Sequence, residues 1–124
     1  MNTNCCIIPP QINVEQDSIL LAVDVAQGAT IELTFKLSIS LSSVIDILIT
    51  FKQLDTIIFE KDIEDITIID DDSFVITLTQ QESFLLSAKY PTLVQVRTKD
   101  TEDITTTSVI SSFYIREALN NTII

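Results

Sequence analysis

The sequence predicts a small all-β protein with antiparallel strands, and three observations lead to that expectation. Apolar residues occupy every second position from Ile31 to Ile39, with polar residues between them, which is the two-residue period of a half-buried strand. Similar segments recur at intervals of roughly eight to twelve residues, each ended by a polar turn, as in sandwiches and barrels. Only one segment carries a helix start, so parallel strands joined by helical crossovers are not expected.

The length and composition are those of one folded domain with an appended arm. The chain has 124 residues, of which 46% are hydrophobic, so it is long enough for one core and too apolar for disorder. We expect an extended arm at residues 1–17, because Pro9 and Pro10 favour extended backbone. A single β-sandwich domain is expected at residues 18–124.

The alternation and the polar breaks together predict about seven or eight strands. Because the chain contains a single glycine, Gly28, its turns are expected to use Asp, Asn and Ser. In the third strand we expect one face to carry Ile45, Ile47, Ile49 and Phe51. The expected strands are residues 18–25, 30–40, 44–54, 56–61, 66–69, 73–78, 93–99 and 104–116, and the tail is residues 117–124.

One short helix is expected between the sixth and seventh of these strands. Thr79 is followed three residues later by Glu82, which is the spacing of a capping box at a helix start. We expect Phe84, Leu85 and Ala88 to cover one side of the helix and Tyr90-Pro91 to end it.

The net charge argues against two classes of partner. The chain carries 18 acidic and 7 basic residues, for a formal charge of -11. A charge of this sign repels phosphate backbones and anionic lipid, so neither nucleic acid nor a membrane is expected as a partner. The acidic residues are expected to keep an apolar protein soluble, and a basic protein partner or divalent cations are the alternatives.

Two acidic clusters lie between expected strands. They are Asp62, Glu64 and Asp65, and then Asp70-Asp71-Asp72. A calcium site is one interpretation, because hard cations bind several carboxylate oxygens. The other is a pair of solvated hairpin turns at one end of the sandwich, since the glycine and spacing of an EF-hand are missing.

The sequence offers no catalytic, cofactor or metal residues. Histidine is absent, so the usual general base and the usual triads are missing, and a single glycine rules out a glycine-rich phosphate loop. The adjacent pair Cys5 and Cys6 has no base partner and cannot complete a zinc site. We therefore expect a protein that is not an enzyme, with small apolar packing or intermolecular crosslinking as the roles of these cysteines.

The aromatic residues are candidates for two roles, packing in the core and stacking on a carbohydrate. Phe35, Phe51 and Phe74 lie in alternating strands and are expected to pack inside. Tyr90 and Tyr114 are the candidates for stacking on a carbohydrate. At the sheet edges, unpaired backbone could receive the arm or the tail residues 122–124 of another subunit, or both chain ends could be loose.

The order of several segments resembles a known group of proteins. GATIELTF at residues 28–35 precedes the hairpin ILITFKQ and IIFEK, and FVITLTQQESF at residues 74–84 precedes VQVRTK and YIREAL. This order resembles small structural proteins of phages and prophages of Gram-positive bacteria, and the immunoglobulin-like N-terminal domain of phage upper baseplate proteins. The resemblance covers roughly residues 28–124, and the LTQ-x-E step followed by VQVR is its most distinctive part.

The resemblance implies an immunoglobulin-like sandwich and a structural component of the virion without catalytic residues or cofactors. Such a protein would be made in the cytoplasm of the bacterial host and would bind other virion proteins and copies of itself, as a homo-oligomer in a particle. Its place would be the baseplate, tail, neck, fibre or head decoration. A module that binds host cell-wall carbohydrate, and a cytoplasmic adaptor unrelated to phage, are the alternatives.

Overall fold

A computed structural model describes residues 18–20, 25–108 and 110–124, the first three by their backbone alone. The expected arm at residues 1–17 and its two cysteines lie outside the described residues. The described part contains nine strands, one α-helix and two 3₁₀ turns, at Leu41–Ser43 and Ile63–Asp65. The elements are β1 (Ser18–Leu20), β2 (Ile31–Leu37), β3 (Val44–Gln53), β4 (Thr56–Asp62), β5 (Ile66–Asp70), β6 (Ser73–Leu78), α1 (Gln80–Leu85), β7 (Thr92–Asp100), β8 (Thr105–Thr107) and β9 (Ser111–Phe113).

The strands form two sheets whose order is that of an immunoglobulin-like sandwich. The first sheet has the order β1-β2-β6-β5, and the second has β4-β3-β7, with β8 and β9 both paired to β7. All strand pairings are antiparallel. When the strands are lettered in chain order, these sheets are A-B-E-D and C′-C-F-G, the immunoglobulin arrangement. The predicted all-β sandwich with one short helix is confirmed.

The core lies between the two sheets and follows the predicted alternation. Along β2, every second residue from Ile31 to Leu37 is buried and the residues between them are more exposed. The rings of Phe35 and Phe74 face each other across the β2–β6 pairing, with centroids 5.2 Å apart and an interplanar angle of 13°. Phe51 is equally inaccessible to solvent. The three predicted core phenylalanines are therefore confirmed.

The expected inner face of the third strand is wrong at one position. Ile45 is 54% exposed, while Ile47, Ile49 and Phe51 are buried. The cause is a register shift between Val44 and Asp46 in the pairing with β7, because an extra residue in a strand turns the side chains before it away from their expected face.

The expected long last strand, residues 104–116, is also wrong. Two three-residue strands, β8 and β9, take its place, and both pair with β7. Between them Ser108 donates its backbone amide to the Val96 carbonyl at 2.8 Å, and its hydroxyl accepts the Val96 amide at 2.9 Å. A side-chain oxygen thus replaces a carbonyl in the ladder, and regular pairing stops there.

The helix begins as predicted but ends early. The capping box between Thr79 and Glu82 is present. The helix ends at Leu85, and Leu86 is in extended conformation with φ -90° and ψ 127°. Because the chain leaves the helix there, Leu86 is buried and Leu85 is 58% exposed. The expected cover by Leu85 and the expected end at Tyr90-Pro91 are therefore wrong.

The C-terminal tail lies against its own chain. Ala26 and Arg116 form a parallel bridge, and the Ala118 amide donates to the Gln27 side-chain oxygen at 3.2 Å. At the end of the chain the Ile124 amide donates to Gln80 Oε1 at 2.9 Å. The tail therefore connects the turn before β2 to α1, and these contacts lie within one chain.

Candidate assembly surfaces

The strand β5 forms an apolar edge of the four-stranded sheet. It is last in the order of that sheet, and its first four residues carry no charge. Ile68 is 57% exposed and Ile69 is 55% exposed. A register shift between Ile68 and Asp70 interrupts the pairing with β6. Soluble proteins protect such edges with charged residues or bulges, and here the protection lies only at the end of the strand, at the register shift and Asp70.

The strand β4 forms the corresponding edge of the five-stranded sheet, and charged residues protect it. Glu60, Lys61 and Asp62 occupy its second half. The Lys61 ammonium turns inward and lies 2.7 and 2.8 Å from the two carboxylate oxygens of Glu82 on α1. Lys61 also lies 6.0 Å from the centroid of the Phe59 ring. This edge is therefore tied to the helix.

The Lys61–Glu82 pair changes the acid–base behaviour of the carboxylate. Burial acts to raise the pKa of Glu82, but the hydrogen bond from Lys61 and the hydrogen bonds from Thr79 outweigh it, and the pKa is lowered overall. The side chain of Glu82 is 26% exposed and that of Lys61 is 11% exposed. The pair is thus partly shielded from solvent, and Glu82 is ionised at neutral pH.

A groove crosses the outer face of the five-stranded sheet, and we call it the sheet groove. Its volume is about 270 Å³. Ile57 and Ile110 line it and are both more than half exposed. Lys52 and Arg97 also line it, and neither forms an ion pair with a described residue. The full lining is Thr50, Lys52, Ile57, Leu93, Val94, Gln95, Arg97 and Ile110.

The first acidic cluster lies in the crossover from β4 to β5, which links the two sheets. Asp62 accepts the Glu64 amide, and Asp65 accepts the Asp62 amide, both at 2.9 Å. These carboxylates therefore cap the 3₁₀ turn at Ile63–Asp65. The expectation of a hairpin turn at this cluster is wrong, because the chain changes sheets there.

The second acidic cluster is the β5–β6 hairpin turn, as predicted. Asp71 accepts the Ser40 hydroxyl at 2.8 Å and the Ser42 amide at 3.3 Å, and Asp72 pairs with Lys36 at 3.1 Å. The two clusters flank opposite ends of β5, so they lie at opposite ends of the sandwich, separated by about 17 Å of strand. The expectation that both lie at one end is wrong.

Neither cluster has the arrangement of a metal site. Among residues 25–108 and 110–124, no three acidic, histidine or cysteine side chains are grouped so that they could hold a metal ion. The five aspartates of the two clusters instead accept hydrogen bonds from backbone amides or serine hydroxyls, or pair with lysine. In the same part of the chain, no helix has the length and apolar character needed to cross a membrane.

The two tyrosines predicted as a sugar platform are both on the surface. Tyr90 is 41% exposed and Tyr114 is 65% exposed. Neither lines the cavity of about 340 Å³ that the C-terminal tail forms with α1. That cavity is lined by Gln27, Gln81, Phe84, Asn121 and Ile123.

The sequence analysis missed the sheet groove and the tail cavity. One feature of the sequence pointed to the groove. Leu93 is apolar, although the alternation in β7 places it on the outer face with Gln95 and Arg97. The sequence did not indicate that Ile57 and Ile110 would line the groove, since only the pairing of the strands brings them to the same face.

Comparison of the sequence with protein-family models found no match, and comparison with curated protein sequences found no significant match.

Proposed function

We propose that this chain is a non-enzymatic structural protein of a phage virion, which acts by binding neighbouring subunits. Two lines of reasoning support the proposal. The order of sequence segments resembles small virion proteins of Gram-positive phages. The sandwich exposes apolar residues along an edge strand, which suits assembly better than solitary function.

The observation that carries the proposal is the β5 edge. Ile68 and Ile69 are both more than half exposed, on a strand whose outer side pairs with none of the described strands. Full burial of an isoleucine side chain is worth about 1.5–3 kcal/mol. Because each side chain is already partly buried, a partner that covers this edge would gain about half of that energy at each of the two residues.

Mass spectrometry of particles purified from the bacterium that encodes the chain tests this function. We expect the chain in the particles at a fixed number of copies relative to the major capsid protein. We also expect particles from a strain that lacks the gene to be incomplete or non-infectious. Absence of the chain from intact, infectious particles would rule out the proposal.

A carbohydrate-binding function is the second candidate, and the tail cavity is the observation that favours it. The amides of Gln81 and Asn121 and the Phe84 ring, which line it, are groups that bind hydroxyls and sugar faces. Binding of the purified protein to host cell-wall polysaccharide, measured by a pull-down, tests this function. Asn121→Ala should weaken binding if the cavity is the site, and Tyr114→Ala should weaken it if the tyrosines are.

A further inference from the structure

Two surfaces of the molecule have complementary chemistry. The sheet groove combines apolar side chains with the cations Lys52 and Arg97, in a chain of net charge -11. The β5–β6 hairpin combines exposed Ile68 and Ile69 with the acidic turn Asp70–Asp72. Each surface therefore has an apolar part and a charged part, and the charges are opposite.

The register of the strands shows which residues of the groove are neighbours. Lys52 lies opposite Ile57 on one side and Leu93 on the other, and Arg97 lies opposite Leu48. Lys52 therefore lies between two apolar residues, and the polar pair Thr50 and Gln95 separates its row from that of Arg97. Glu60 lies on the same face, opposite Thr50, but does not line the groove. An occupant that suits this surface has aliphatic side chains next to carboxylates.

The hairpin presents that combination at an edge of the other sheet. Ile68 and Ile69 lie at the end of β5, and the acidic turn follows directly. Burial acts to raise the pKa of Asp72, but the hydrogen bonds that its carboxylate accepts from Lys36 and Ser73 act to lower it, and the pKa is lowered overall. Lys36 is the single described cation paired with this turn, so the hairpin keeps an excess of negative charge.

We propose that the sheet groove of one subunit receives the β5–β6 hairpin of a second copy of this chain. This inference deepens the proposed assembly function and rests on it. Ile68 and Ile69 pack against the apolar residues of the groove, and the carboxylates of the turn face its two cations. Because the two surfaces differ, the contact is head-to-tail and produces a ring or an open row of subunits.

Sedimentation velocity on the full chain, from micromolar to millimolar concentration, tests the contact. We expect the wild type to associate with rising concentration and species beyond the dimer to form. Arg97→Glu in the groove and Ile69→Lys in the hairpin should each weaken association at least ~tenfold, because each brings like charges together. Lys89→Glu makes the same charge change as Arg97→Glu at an exposed loop residue, and it should associate like the wild type.

Mixing the two variants provides the decisive measurement. Arg97→Glu keeps its hairpin and Ile69→Lys keeps its groove, so one intact contact remains between them. The mixture should therefore associate more strongly than either variant alone and form at least a one-to-one dimer. Circular dichroism establishes that each variant is folded, and Ile110→Asp replaces Arg97→Glu if that variant is not.

Three results would overturn the inference. They are a wild type that stays monomeric at millimolar concentration, variants that associate as well as the wild type, and a mixture that does not dimerise. These failures are distinct from failure of the proposed function. A chain that is present in particles but monomeric in solution would keep its virion role and would have a different protein as its neighbour.

Discussion

The edge strands of the two sheets face the same physical problem and differ in how they meet it. At β4, charged residues occupy half of the strand, and Lys61 is tied to α1 through Glu82. At β5, four uncharged residues precede the acidic turn, and Ile68 and Ile69 remain exposed. Edge protection is therefore not uniform: at β5 it is confined to the register shift and Asp70 at the end of the strand, and this is the side where we expect a neighbour.

The phenylalanine pairs of the two sheets extend the comparison into the core. Phe35 and Phe74 stack between the inner strands β2 and β6, and both rings are fully buried. Phe51 and Phe59 pair across β3 and β4 with centroids 4.8 Å apart, and Phe59 is only partly buried. The first pair is shielded on all sides, whereas the second pair borders an edge.

Replacement of one ring in each pair should have the largest effect of the changes considered. Phe74→Ala should lower the free energy of unfolding by about 3–5 kcal/mol, since it leaves a cavity in a fully buried site. Phe59→Ala should cost about 2 kcal/mol, because the edge site can relax and solvent can enter. Urea unfolding monitored by circular dichroism measures both. Equal losses would contradict the distinction between inner and edge pairs.

Loss of the buried amide at the end of β3 should be the next largest effect. Gln53 is 5% exposed, and its side chain accepts the Ser87 amide and donates to the Ser87 carbonyl and the Thr92 hydroxyl. Gln53→Leu keeps the volume but leaves those groups unpaired, so we expect a loss of about 1–3 kcal/mol. Chemical unfolding gives the magnitude. Faster hydrogen exchange of the Ser87 backbone amide would show that the loss arises at this contact. Unchanged exchange would contradict a role for Gln53 in holding that amide.

The Lys61–Glu82 ion pair beside β4 should contribute less to the free energy of unfolding than Gln53 does, and its contribution should depend on pH. Glu82→Gln keeps an oxygen for the capping box and removes the charge facing Lys61, at a cost of about 1 kcal/mol. Because folding lowers the pKa of Glu82, this stabilisation is full above the ordinary glutamate pKa and is lost as pH falls through the lowered value.

The wild type and Glu82→Gln should therefore differ in unfolding temperature at neutral pH and converge in acid. A thermal unfolding series from neutral to strongly acidic pH measures this. Glu60→Gln is the matched control, since it removes an exposed negative charge from β4, the strand that carries Lys61. A difference that persists unchanged in strong acid would show that the ion pair is not its source.

The smallest effect is expected at the hairpin beside β5. Asp71→Asn removes charge from the contact with Ser40 but leaves the backbone bond from Leu41 to the Asp71 carbonyl in place. We expect a loss of about 0.5–1 kcal/mol, since an exposed hydrogen bond contributes little. Differential scanning calorimetry measures it. A loss as large as that of Gln53→Leu would mean that this exposed turn contributes as much to stability as the buried Gln53 side chain does.

Much of the fold could be predicted because alternation is a local property. The inner faces of β2 and β7 and the capping box at Thr79 follow the sequence pattern. The misses occur where a contact distant in sequence interrupts that pattern. Ile45 turns outward at a register shift, and Ser108 replaces a carbonyl in the ladder beside β7.

The sequence by itself determined that the chain is built of half-buried strands, because side-chain direction along extended backbone depends only on local stereochemistry. The tertiary structure alone decided which strands became edges and which residues met in the sheet groove. Strand pairing brings Ile57, Leu93 and Ile110 to one face although they are distant in sequence, and no local pattern encodes that meeting.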